Sequence, residues 1–269
     1  MKKRIFTKEE IETVIYNYTV LGMGQKRAGK QFHMKDRQVK RLLQENNIHI
    51  KSIQETNISH YKIDEEFFEK QSSDMAYVLG MLGSDGCISS NENCIYIELQ
   101  EQDSELLEKI NNKLKNERPI KHYVTSRGYH NCKLYFYSKR IKDILKEYRL
   151  VPNKTYSDEF GFPEKLDKIF WLDYIRGYFD GDGCIKKTGS SLTFQLDSVK
   201  KSLLKTIQNF LKEEHNIECQ LTSNKKDKMI VWRLYCYSDS AEKIFNLLYK
   251  DPSCLKMKRK FDKFLLYKK

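Results

Sequence analysis

At 269 residues, 39% of them hydrophobic, the chain has room for one large or two to three small domains, each able to bury a core. Its formal net charge of +12 favours an acidic partner, most simply nucleic acid, over a merely soluble basic protein. No segment approaches the roughly 18 apolar residues that span a membrane, and seven cysteines without a C-x-x-C pair indicate neither a zinc ribbon nor a thioredoxin-like site.

The first fifty residues read as a separate helical module. Thr7 can cap a helix whose third following residue is Glu10, a capping box, and Ile11, Val14, Ile15 and Tyr18 then recur at helical spacing. Leu21-Gly22-Met23-Gly24 breaks it. A short second helix, Gln25 to Phe32, precedes a turn at His33-Met34. A third, about Asp36 to Asn46, turns Val39, Leu42 and Leu43 inward and Arg37, Lys40 and Arg41 outward. This arrangement resembles the helix-turn-helix modules of small DNA-binding domains, whose last helix enters the major groove; a solvated helical bundle is the alternative. The resemblance implies a DNA-binding domain over residues 1–55 with Lys35, Arg37, Gln38, Lys40 and Arg41 as contacts. Residues 56–73, polar apart from an amphipathic piece at Phe67 and Phe68, read as a linker.

The next feature is a duplication. VLGMLGSDGCI, Val78 to Ile88, and IRGYFDGDGCI, Ile175 to Ile185, share Gly80 with Gly177, Asp85 with Asp182, Gly86 with Gly183, Cys87 with Cys184 and Ile88 with Ile185. The same offset of 97 aligns Ile97, Leu99, Leu106, Leu107 and Ile110 with Phe194, Leu196, Leu203, Leu204 and Ile207. Further on the offset becomes 100, aligning Leu134, Tyr135, Tyr137, Ser138 and Ile144 with Leu234, Tyr235, Tyr237, Ser238 and Ile244. So long a period is a duplicated domain and not a solenoid. Residues 74–160 and 161–269 become two halves, each running helix, two strands, helix, two strands, helix. The strand CIYIELQ, Cys94 to Gln100, puts Ile95, Ile97 and Leu99 on one face and Tyr96, Glu98 and Gln100 on the other. SLTFQLD, Ser191 to Asp197, opposes Leu192, Phe194 and Leu196 to Thr193, Gln195 and Asp197. Such alternation predicts half-buried antiparallel sheets whose polar face can meet a DNA groove.

Each motif helix stops at Asp-Gly. Gly80 with Ser84, and Gly177 with Gly181, are four apart, so small residues share one face and two backbones can approach. Asp85 and Asp182 then stand at the negative ends of two helices, unfavourable by a few tenths of a kcal/mol to about one each, and repel one another. That pairing calls for a cation. Mg²⁺ or Mn²⁺ suits it, taking carboxylate oxygens while keeping waters and phosphate oxygens, and such a site can hydrolyse a phosphodiester.

From Tyr77 to Phe264 this constellation resembles the LAGLIDADG homing endonucleases in their single-chain, two-motif form. The resemblance implies an α+β fold of two pseudo-symmetric αββαββα half-domains, whose antiparallel, saddle-shaped sheets sit over double-stranded DNA, with the small all-α helix-turn-helix domain in addition. It implies a monomer, an internal pseudo-dimer, in which Asp85 and Asp182 bind the metal. The motif's earlier acid is Asp180 in the second copy and Gly83 in the first. Glu98 and Gln195, equivalent at offset 97, match a mid-strand Gln or Glu near the metal-bound water. Lys154, in LVPNKTYS, matches an active-site lysine, and in the second repeat Lys258 and Lys260 both remain candidates. Tyr96, Gln100, Thr193 and Asp197 would face the DNA.

Six scattered histidines form no metal-pairing pattern. The odd cysteine count and a lysine-rich start without an apolar run predict a reduced, cytoplasmic protein of a bacterium, phage or organelle. The chain neither begins with a nucleophile nor ends in His-Asn, as an intein would, which predicts a free-standing or intron-encoded mobile-element enzyme. The alternatives are a transcriptional regulator or RNA maturase on the same fold, or an RNA-binding protein, for which no stacking motif is visible.

Overall fold

The computed structural model describes residues 6–21, 23–50, 61–226 and 229–268. It divides into two units, Met1–His60 and Tyr61–Lys269. Among the described residues no helix is long and apolar enough to cross a membrane.

In the first unit α1 (Lys8–Thr19) opens on the expected capping box: Glu10 N donates to Thr7 Oγ1 at 3.2 Å and Thr7 N to Glu10 Oε2 at 2.9 Å. The expected helix from Gln25 to Phe32 is broken. It becomes α2 (Gln25–Ala28) and a 3₁₀ turn, Lys30–Phe32, on either side of Gly29, where a Cβ would meet Val39 Cγ2 at 2.5 Å. His33 takes a left-handed φ of 55°, and α3 (Asp36–Glu45) follows. Val14, Tyr18, Ala28, Met34, Val39, Leu42 and Leu43 form this unit's own core.

The second unit begins before its first motif helix. Residues 61–72, expected as the end of a linker, place Phe68 fully in the core and bond to the first half, Asp64 N donating to Leu114 O at 2.9 Å. Residues 51–60 lie outside the described residues. The first half runs α4 (Ser73–Ser84), β1 (Gly86–Ile88), β2 (Cys94–Gln100), α5 (Ser104–Lys113), β3 (Lys121–Val124), β4 (His130–Tyr137) and α6 (Lys139–Glu147). The second runs α7 (Trp171–Asp182), β5 (Gly183–Thr188), β6 (Ser191–Ser198), α8 (Lys201–His215), β7 (Gln220–Lys226), β8 (Met229–Tyr237) and α9 (Ser238–Leu248), with α10 (Lys258–Lys268) appended. Each half has one antiparallel sheet, ordered β1-β2-β4-β3 and β5-β6-β8-β7. Burial alternates along β2 and β6 as their sequences require.

The sheets are not in the register that offset 97 implies. Gly86 pairs with Ile97 and Ile97 with Leu134, whereas Gly183 pairs with Leu196 and Leu196 with Leu234. The second hairpin is two residues longer (97 − 86 = 11, against 196 − 183 = 13). A shift of two keeps the same residues on the polar face but moves every partner along. Glu98, opposite Lys133, therefore corresponds to Asp197, opposite Arg233; the equivalence of Glu98 with Gln195 does not hold.

The halves meet through α4 and α7. Every residue of α4 from Met75 to Ser84 is buried, as befits a helix surrounded on all sides. A Cβ on Gly80 would stand 2.2 Å from Tyr174 O, and one on Gly177 would stand 2.1 Å from Tyr77 O. The two backbones touch at the paired glycines.

Candidate functional site

Asp85 caps the end of α4, and Asp182 is the last residue of α7. The two ends lie side by side: a Cβ on Gly181 would stand 2.0 Å from Ser84 Oγ and 2.9 Å from Asp85 Oδ2. Burial raises the Asp85 carboxyl above its ordinary 3.8, opposed by the charges of Lys260, Lys154 and Arg259. Burial and then the Asp85 charge push Asp182 up to about 6, with Lys154 and Lys260 opposing. Asp182 is exposed by surface area yet ringed by protein atoms, at the edge of a cavity of about 490 Å³ that Lys154, Thr155, Tyr178 and Asp197 also line.

The two lysines occupy matching places. Lys154 Nζ donates to Leu82 O at 2.9 Å and to Ser84 O. Lys260 Nζ donates to Phe179 O at 2.7 Å, Gly181 O at 2.9 Å and Gly183 O at 2.7 Å. Leu82 and Ser84 are the offset-97 partners of Phe179 and Gly181, so each lysine caps the last turn of its own motif helix. These carbonyls lie in the last turn, where helical donors run out; Phe179 O still accepts from Gly183 N, and an ammonium there also meets the negative end of the dipole. Desolvation lowers both lysines to about 8, against the neighbouring carboxylates. Asn153, at a left-handed φ of 53°, turns the chain so that Lys154 points inward. Lys258 is exposed and pairs with Asp262 one turn on, which leaves Lys260 as the counterpart of Lys154.

The strand residues lie on the polar sheet faces. Glu98 accepts from Asn131 Nδ2 at 3.0 Å, with Lys133 Nζ 3.9 Å away. Burial would raise its carboxyl, but hydrogen bonds from Tyr123 and Asn131 and the Lys133 charge hold it below its ordinary value. Asp197 is gripped by Arg233 through two bonds of 2.9 Å, and Gln195 Nε2 donates to both its oxygens at 3.1 Å. Asp197, not Gln195, lines the cavity beside Asp182. Lys133 Nζ sits 3.3 Å from the centre of the Tyr96 ring. Gln100 is exposed and accepts from Gln102 at 2.7 Å, and Thr193 is half-buried opposite Tyr237. In the first unit Lys35, Arg37, Gln38, Lys40 and Arg41 are all exposed on or beside α3.

A second polar cluster stands apart from the expected site residues. Asp180, fully buried, accepts from Tyr77 OH, Tyr249 OH and Met257 N, each at 2.7 Å. Arg176, 4% exposed, bonds Leu255 O, Leu248 O and Asp173. Together they fasten α7 to the segment that leads to Lys260. Leu79 and Gly83 stand at these places in the first repeat. Two charged residues inside an otherwise apolar motif helix are the signal that the sequence offers for it.

Among the described residues no group of three or more His, Cys, Asp or Glu could hold a metal, so no all-protein cage of the zinc type is built. Two carboxylates whose burial outweighs their cationic neighbours, one repelled by the other, fit a hard cation that keeps water or phosphate oxygens as its other ligands.

Residues 171–248 match the family model described as a LAGLIDADG-like domain. Over 198 residues the chain is 28% identical to an uncharacterised protein of Methanocaldococcus jannaschii, spanning 70% of this chain and 72% of that one. Over 153 residues it is 28% identical to the NrdEB subunit alpha of ribonucleoside-diphosphate reductase of Bacillus subtilis, 51% of this chain but only 14% of that protein. Among solved structures, the meganuclease I-SmaMI bound to uncleaveable DNA is similar at TM-score 0.49 and 12% identity, over 71% of this chain and 88% of that one. Full-length WhiA from Thermatoga maritima is similar at TM-score 0.44 and 14% identity, over 77% and 65%. Residues 171–248, from α7 through α9, thus match a LAGLIDADG-like domain, and the preceding half repeats the same order of elements and the same sheet order.

Proposed function

We propose that the chain is a site-specific double-strand DNA endonuclease whose centre is Asp85 and Asp182 with Mg²⁺ or Mn²⁺, acting as a monomer. The observation that carries this reading is the contact at Gly181, which sets the end of one motif helix against the carboxylate of the other. Asp85 and Asp182 would hold the cation. A bound divalent ion lowers the pKa of a water and neutralises charge on a phosphodiester. Lys154 and Lys260 fix the two helix ends and keep positive charge beside the acids. Asp197 lines the cavity beside Asp182 and Glu98 is its counterpart on the first sheet, each facing a basic residue across the strand pair. The first unit would add DNA contacts through α3.

A non-catalytic DNA-binding regulator, or an RNA maturase, on the same fold is favoured by one observation: two ammonium groups already stand beside the two carboxylates and offset part of their burial without a metal. Cleavage of long mixed-sequence duplex DNA separates the readings. The endonuclease cuts with Mg²⁺ and stops in EDTA, and Asp85→Asn or Asp182→Asn abolishes cutting while binding survives, because phosphate contacts are intact. Equal products from wild type and the double Asn variant would defeat the enzyme reading.

A further inference from the structure

Asp85 has a cationic neighbour that neither lysine accounts for. Asp103 stands where the N-cap of α5 belongs, yet its side chain caps nothing there. Instead the carboxylate, 3% exposed, accepts from Arg259 Nε at 3.0 and 2.8 Å, across 156 positions of sequence. The Arg259 side chain is 47% exposed. Nε is one of five guanidinium N–H donors; the four on Nη1 and Nη2 have no partner among the described residues. Arg259 lies close enough to act on both Asp85 and Lys260. A buried acid thus fixes a half-open arginine from behind, beside the candidate centre, with the forked edge that suits two phosphate oxygens left over.

The arrangement is one-sided. Lys154 and Lys260 correspond, so Asn153 stands where Arg259 does, and offset 97 puts Lys200 at the place of Asp103. Lys200 pairs with the exposed Asp158 at 3.3 Å. On the Asp182 side Arg233 already spends its forked edge on both oxygens of Asp197, while on the Asp85 side the fork of Arg259 is left over.

Resting on the endonuclease reading, we infer that Arg259 is a phosphate-binding residue of one half-site only: held by Asp103, it grips a backbone phosphate of one DNA strand beside Asp85. Losing it slows the cutting of that strand and spares the other, so nicked duplex accumulates.

Two measurements test this. The first is binding to a short mixed-sequence duplex against salt concentration, in EDTA. Arg259→Gln should flatten the logarithmic slope by about 0.9, one phosphate contact, while Arg259→Lys leaves the slope unchanged. The second is cutting of a duplex selected from a randomised library by wild type, with each strand labelled separately. Arg259→Lys, which keeps charge and loses the fork, should slow one strand about ten- to hundredfold, the worth of a charge-assisted bond, and leave the other near wild type. Asp103→Asn should do the same if it folds; Arg259→Lys keeps a cation beside the buried Asp103 carboxylate and so avoids leaving it unpaired. An unchanged salt slope in Arg259→Gln, or equal slowing of both strands in Arg259→Lys, overturns the inference. Wild type that cuts neither strand defeats the endonuclease reading instead, and the salt slope still decides whether Arg259 meets a phosphate.

Discussion

Lys154 and Lys260 spend their protons on carbonyl oxygens at the ends of the motif helices, which makes them structural before they are anything else. Lys260→Met takes the ammonium donor from Phe179 O, Gly181 O and Gly183 O, of which Phe179 O keeps Gly183 N, and removes a charge beside two carboxylates. It should cost about 1–3 kcal/mol by urea unfolding and lose cutting. Lys258→Met should stay within about 0.5 kcal/mol, since an exposed ion pair contributes little. Matching losses in the two variants would mean that α10 is placed differently. The pH dependence has a definite sign. Asp182, raised from 3.8 to about 6, holds more protons folded than unfolded across that window, so its contribution to stability falls as pH rises through it. The lysines, lowered from 10.5 to about 8, hold fewer protons folded, so their contribution rises with pH between those values. In metal-free buffer wild type should lose melting temperature relative to Asp182→Asn as pH rises from about 4 to 6; parallel curves would show that Asp182 is neither buried nor crowded by Asp85. Near neutral pH all these charged groups are borne at a cost to stability.

The crossing of α4 and α7 leaves no room for adjustment by side-chain rotation, because the atom that a Cβ on Gly177 would strike is the backbone oxygen Tyr77 O, 2.1 Å away. Gly177→Ala must push the helices apart, at about 1–3 kcal/mol or more. The same displacement separates the acids, so the cleavage rate should fall further than stability does; a variant that melts lower but cuts normally would disconnect the crossing from the centre. This part of the architecture was legible because Gly-x-x-x-small recurs at one offset with the acid behind it. What escaped was hidden by cancellation. Two residues gained in the β5–β6 hairpin are lost again before α8 (106 − 97 = 9 against 203 − 196 = 7), so the offset of 97 reads as unbroken from Asp85 to Ile110. Within that span Glu98 aligns with Gln195 in sequence and with Asp197 in space. Lys258 and Lys260 could not be told apart for a different reason. Both sit in one basic run, and only the carbonyls of α7, some eighty positions away, distinguish them. Arg259 gave no local signal either, its partner being Asp103.

Two unequal halves let each sheet present its own polar row, Tyr96, Glu98 and Gln100 on one and Thr193, Gln195 and Asp197 on the other, so on the proposed function the DNA site need not be palindromic. The first unit has a separate core. A chain beginning at residue 61 keeps every core residue of the second unit, and it should fold and cut at the same bonds. It should bind more weakly, and with a shallower dependence on salt. Lys35, Arg37, Lys40 and Arg41 are exposed on one short stretch; if they lie on DNA, each phosphate that their removal leaves unneutralised lowers the logarithmic slope by about 0.9. The protected footprint should shorten at one end only, because the unit is present once and the repeats twice. Nuclease protection and titrations at several salt concentrations, comparing the full chain with residues 61–269, read both quantities. An unchanged slope and footprint would mean that the exposed basic row of α3 meets some other partner, and the helix-turn-helix reading of the first unit would fall without disturbing the centre at Asp85 and Asp182.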